Sequence, residues 1–134
     1  MNIKRYTADV GNIGPEMMND FGVSQSVRAK DTLYLAGIVA ATSRGEAVAP
    51  GDPAGQITFI LETLRKLLEI ENMSLANVVT TTVYARNIAQ LAVHKDLFVT
   101  AFGEHRPSST WVEVKDLLMP EYLLEVAVIA VDDR

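Results

Sequence analysis

The sequence has no cysteine, only two histidines and one tryptophan, and no long apolar run. Without cysteine there is no disulfide, no thiolate nucleophile and no cysteine-ligated metal, and such a chain suits a reducing compartment. The cytosol is the expected location. Neither His94 nor His105 stands at metal-ligand spacing from a second histidine or a carboxylate, so no metal site is expected. The opening MNIKRYTADV lacks a signal-peptide core, and nothing approaches the run of about 20 apolar residues that spans a bilayer. Secretion and membrane insertion are therefore not expected. Nucleophile-elbow, P-loop and dinucleotide fingerprints are missing too, and no cofactor is expected. Basic residues are outnumbered, 12 against 17 acidic for a net charge of -5, which repels a nucleic-acid backbone.

What is present is apolar. Hydrophobic residues make up 49% of 134 positions, enough for one core, and no linker or repeat divides residues 1–134 into more than one domain. The patterning predicts a short strand at Ile3–Tyr6, then strands at Ser24–Val27 and Thr32–Ala40 around a turn at Arg28–Asp31, with Gly37 interrupting the second. Asp52 and Pro53 form an N-cap and first-turn proline. The helix they open carries Ile57, Ile60, Leu61, Leu64, Leu67 and Leu68 on one stripe. The β-branched run Val78–Tyr84 reads as a buried strand. Asn87 then caps a second helix with Ile88, Leu91, Ala92, Phe98 and Phe102 on one face, ended by Gly103.

Two more strands, Ser109–Lys115 and Tyr122–Val131, flank a turn at Met119–Glu121. The order β-β-β-α-β-α-β-β predicts an α+β domain with two helices on one face of a mixed sheet. A bare sheet face on so apolar a chain implies that copies of the chain pack together.

Four features carry candidate chemistry. Lys95 falls within the apolar face of the second helix: either its stem packs and its ammonium reaches the edge, or it meets an anion at an interface. Period-two alternation puts Ser109, Trp111 and Glu113 on one strand face, a mixture that fits a crevice; Trp111 read alone fits a core or interface aromatic equally well. Glu125 sits amid apolar neighbours, to be paired or at an edge, and with Glu113 it makes a weak candidate for a carboxylate pair. Arg106 lies in the loop His105-Arg106-Pro107.

Taken in order, VSQSV, TLYLAGIV, the Gln56 helix, NVVTTTVYARNI, RPSSTWVEV and LLEVAVIAV resemble the reactive-intermediate deaminase family, also called Rid or YjgF (RidA-like). The resemblance covers nearly the whole chain. It implies a chorismate-mutase-like fold, a homotrimer, and ligand sites between subunits where imines and enamines are hydrolysed to a carbonyl and ammonia. The family's substrate-clamping arginine, in a P-x-R-S pattern, falls at Ser109, and its catalytic glutamate at Ala127. Its tyrosine falls at Val23, its site asparagine at Lys95, the serine of its S-G-Q turn at Ala36, and a frequent cysteine at Trp111; Gly37 is kept.

A serine cannot make a bidentate contact to a carboxylate, so the resemblance implies a divergent member lacking the catalytic arginine. The expected function is binding of a small metabolite at the subunit interface, with hydrolysis of an imine or enamine by other residues. In that reading Lys95 or Arg106 supplies charge, Ser109 orients a water or carbonyl, and Trp111 bounds the substrate. The alternative is a non-catalytic trimer that binds or senses a ligand. Ribonuclease activity, sometimes attached to this family, is disfavoured by the acidic balance.

Overall fold

The structure, a computed structural model, describes residues 2–134. Six strands form one mixed sheet: β1 (Ile3–Tyr6), β2 (Ser26–Ala29), β3 (Thr32–Ile38), β4 (Val78–Ala85), β5 (Ser108–Glu113) and β6 (Leu124–Val131). Their spatial order is β1-β2-β3-β6-β4-β5, antiparallel throughout except for the parallel pair β4 and β5. Antiparallel neighbours need only tight turns, whereas the parallel pair needs a crossover, and the second helical segment supplies it.

The fold class is as the sequence predicts, but the α-helices among the described residues are four rather than two. They are α1 (Pro15–Phe21), α2 (Pro53–Ile70), α3 (Ile88–Ala92) and α4 (Asp96–Phe102). α1 gives almost no periodic signal because only Met18 is buried. It is fixed instead by Pro15 in its first turn and Gly22 in the left-handed conformation, whose N–H bonds Asn19 O at 3.0 Å.

The second predicted helix is broken between α3 and α4. There His94, Lys95 and Leu97 donate to carbonyls three residues back, a tighter turn than the α-helical one. That turn takes Lys95 off the apolar stripe: its side chain is 68% exposed, and Ala92 is exposed as well.

The strand ends differ by a few residues. β2 extends through Ala29 because Ile3 and Lys4 of β1 pair with Ala29 and Arg28, leaving Lys30 and Asp31 as a two-residue turn with Lys30 at φ 56°. β3 stops at Ile38, and β6 begins at Leu124 rather than Tyr122. Gly37 does interrupt its strand. Between the pairs Leu35–Val128 and Ile38–Val126 two residues of β3 face one of β6, a bulge.

The core lies between the sheet and α2. Ile57, Ile60, Leu64, Leu67 and Leu68 are 0–1% exposed and meet Leu33, Leu124, Val126 and Val128. Asp52 caps α2 as predicted, accepting from Gly55 N at 3.0 Å. The buried Gln56 donates to Glu121 O at 2.9 Å and accepts from Leu123 N at 2.9 Å, tying the start of α2 to the segment that enters β6. No helix among the described residues is long and apolar enough to cross a membrane.

At the far end of α2, Glu71 is buried and negative at a helix C-terminus, which the helix dipole disfavours. Lys4 at 2.8 Å, Arg28 at 3.5 Å and the Tyr6 hydroxyl at 2.6 Å compensate it, and Arg28 also pairs with Asp132 at 3.0 Å. This hub joins both ends of the chain to α2.

Burial pushes the Glu71 carboxyl up, but Lys4, Tyr6 and Arg28 together hold it below the ordinary carboxylate value. Burial and the bond to Glu71 push Tyr6 up to about 12. A depressed acid stabilises the fold above its unfolded pKa and loses that contribution as pH falls; a raised tyrosine contributes below about 10 and loses its contribution towards 12. Urea denaturation against pH should therefore give a plateau that falls below the ordinary carboxylate range and again above about pH 10. Glu71→Ala should lower stability by about 1–3 kcal/mol at neutral pH and flatten the acidic limb.

Candidate functional site

Strand pairing decides which candidate residues can meet. Ser109 pairs with Thr81, which pairs with the buried Val128, so Ser109 faces the helices; Trp111 pairs with the buried Val83 and does the same. Ala127 pairs with Thr82, whose other partner is Thr110, so Ala127 lies on the helix-free face. The sheet itself separates the two sets.

On the helix side a cavity of about 360 Å³ opens between α4 and β5, and it collects Lys95, Arg106, Ser109 and Trp111. Phe98, Val99, Phe102, Pro107 and Thr81 complete it. Trp111 is half-buried and meets Phe98 edge-on, ring centroids 5.5 Å apart at 70°. It is therefore a wall shared by the core and the cavity. Thr81 Oγ1 and Ser109 Oγ are hydrogen-bonded at 2.8 Å.

Arg106 bonds Gly103 O through Nε at 3.3 Å and pairs with no carboxylate among the described residues. Lys95 has Asp96 at 3.5 Å, an exposed pair of little strength.

On the other face the bulge sets Ala36 and Gly37 opposite Ala127, and Glu125 lies directly against Gly37. A methyl group built on Gly37 would run into the Glu125 carboxyl, so only glycine leaves room for it. Sequence reasoning placed Glu125 in an ion pair or at an edge. It is in neither: half-buried on the central strand, it takes no hydrogen bond from any described residue, and burial pushes its carboxyl up.

A carboxylate pair with Glu113 is also overturned. Glu113 faces the helices and accepts Ile88 N–H at 3.0 Å, serving the start of α3.

The Ala36–Gly37 backbone is held by Gln25, the glutamine of the VSQSV motif, and by Asn12, which the sequence reading did not single out. Gln25, 1% exposed, donates to Ala36 O at 2.9 Å; Asn12 donates to Gln25 and accepts from Val39 N at 3.1 Å. Their spacing in sequence carries no periodic signal. Arg86 is similar, gripping Tyr122 O at 2.6 Å and Met119 O at 2.8 Å and so fixing the approach to β6. Val23 follows α1 and is 51% exposed, grouped with neither set. Among the described residues no three His, Asp or Glu side chains converge as metal ligands.

The family model described as Endoribonuclease L-PSP matches residues 16–132. A RutC family protein of Pyrococcus horikoshii is 30% identical over 107 residues, covering 80% of this chain and 84% of that protein. The 3-aminoacrylate deaminase RutC of Acinetobacter baylyi is 29% identical over 105 residues, 78% of this chain and 82% of that one. Among solved structures, a member of the YjgF/YER057c/UK114 family from Mycobacterium tuberculosis superposes with TM-score 0.81 at 25% identity, covering 97% of this chain and 99% of its own. A match that runs from α1 to the end of β6, with the same fold around it, means that the chain belongs to the Endoribonuclease L-PSP family, the Rid or YjgF family of the resemblance.

Proposed function

We propose that the protein is a homotrimer binding a small metabolite between subunits, and that it hydrolyses an imine or enamine to a carbonyl compound and ammonia. One observation carries this reading. The two sets of candidate groups lie on opposite faces of one sheet, and a half-buried carboxyl with no partner among the described residues stands on the face that no helix covers. A second copy is what could bring Lys95, Arg106, Ser109 and Trp111 of one chain beside Gly37 and Glu125 of the next. The deaminase RutC of Acinetobacter baylyi, a relative over most of both chains, supports the reaction class.

The chemistry needs little more than a placed proton. With its pKa raised by burial, the Glu125 carboxyl can protonate the imine nitrogen while water adds to the carbon and then take one proton from that water, giving the amino alcohol; a second transfer of the same kind, to the nitrogen and back from the remaining hydroxyl, expels ammonia and leaves the carbonyl. Water enters and ammonia departs, so atoms and charge balance. Ser109 would orient the water or carbonyl oxygen, and Lys95 or Arg106 would hold an anionic substituent. Ala36 and Ala127 supply space rather than chemistry, and Val23 stands apart from both sets. A net charge of -5 gives RNA no comparable footing.

The competing reading, a trimer that binds a ligand without changing it, draws on the serine and alanine standing where the family has its arginine and glutamate. Ammonia release from imines generated in situ by an amine oxidase separates the two. Catalysis should fall at least about 100-fold in Glu125→Gln and clearly in Lys95→Ala and Trp111→Ala. Melting temperature raised by a ligand that is recovered unaltered, with no ammonia above background, would leave only the binding reading.

Sedimentation should show three chains per particle. A monomer at micromolar concentration would sink the shared site.

A further inference from the structure

We infer that the cavity between α4 and β5 selects an anion with an aromatic body, the chemistry of an aryl 2-oxo acid or of the imine from which it forms. The inference rests on the proposed function only in naming the class of molecule that site takes. All of its observations lie within one chain.

The walls are apolar and in large part aromatic. Phe98 and Phe102 of α4 and Trp111 of β5 line about 360 Å³, a volume in the range of small-molecule pockets. The Phe98 and Trp111 rings stand edge to face at 5.5 Å, which fixes the wall in shape, and a further ring in the cavity would extend the same cluster. A two- or three-carbon metabolite would leave much of that surface facing water. An aryl ring would cover it.

The charged groups in the lining are both cations. The Ser109 and Thr81 hydroxyls bond each other and can each turn a lone pair or a proton to a ligand; Lys95 and Arg106 are cations, and among the described residues of the chain no carboxylate lines the cavity. A head group that fits this set accepts hydrogen bonds and carries negative charge, as a carboxylate beside a carbonyl does. An ammonium group would meet two like charges. Neither cation holds a competing partner firmly: Arg106 faces no acidic side chain among the described residues, and the exposed contact from Lys95 to Asp96 is 3.5 Å long. The charge therefore reaches the ligand from the helix break and the exit loop, while the strand offers only a hydroxyl.

Trp111 is the chain's one tryptophan, so its fluorescence reports on this cavity alone. Phenylpyruvate, pyruvate and uncharged phenylacetone would be titrated into the intact protein, with calorimetry as a second readout. Phenylpyruvate should bind saturably and roughly tenfold or more tighter than either of the others. Arg106→Ala and Lys95→Ala, both exposed and not core residues, should each weaken phenylpyruvate about three- to tenfold while leaving phenylacetone unchanged.

Pyruvate binding as tightly would overturn the aromatic half of the inference. Phenylacetone binding as tightly, or both variants binding phenylpyruvate normally, would overturn the anionic half. Ammonia release from small aliphatic imines without phenylpyruvate binding defeats this inference and leaves the proposed function standing. Phenylpyruvate binding with no ammonia release from any imine does the reverse.

Discussion

A strand shows its side chains alternately to two faces, and on β6 that alternation orders everything else in the molecule. Leu124, Val126, Val128 and Ala130 are buried under the helices, while Glu125, Ala127, Ile129 and Val131 between them are only half-covered. Because β6 lies between β3 and β4, its register dictates theirs. A one-residue slip would send Glu125 into the core and four apolar side chains into water. Gln56 and Arg86, which grip the backbone just before β6, act against such a slip.

The same alternation makes the two halves of the candidate site chemically unlike. The helix side holds hydrogen-bond donors set in aromatic surface; the opposite side holds one carboxyl made less acidic by its surroundings. Within one chain the sheet keeps Glu125 away from Lys95 and Arg106, so burial alone acts on its carboxyl.

Legibility in the sequence follows the strength of each physical signal. The start and the buried stripe of α2 were readable because one apolar period repeats along it behind an Asp–Pro cap. α1 was not, since a seven-residue helix with one buried side chain is set by its caps and by contacts far away in sequence. Lys95 was misplaced because a uniform helix was assumed across what proves to be a tightened turn. Lys95, Arg106, Ser109 and Trp111, drawn separately from helical spacing, the exit loop and the alternation of β5, prove to line one cavity. Glu125 was noticed but not understood: its partner is the space above Gly37, and an empty position leaves no pattern in a sequence.

The strand order also bears on how the chain folds. β1, β2 and β3 form one ribbon, β4 and β5 with their crossover form another, and the two ribbons pair only through β6. Neither ribbon has a covered core of its own, because α2 packs against both β3 and β6. Partial structures thus have little to hold them, and the monomer should unfold in a single step. The search for the β6 register, across large separations in the chain, should be the slow event of folding.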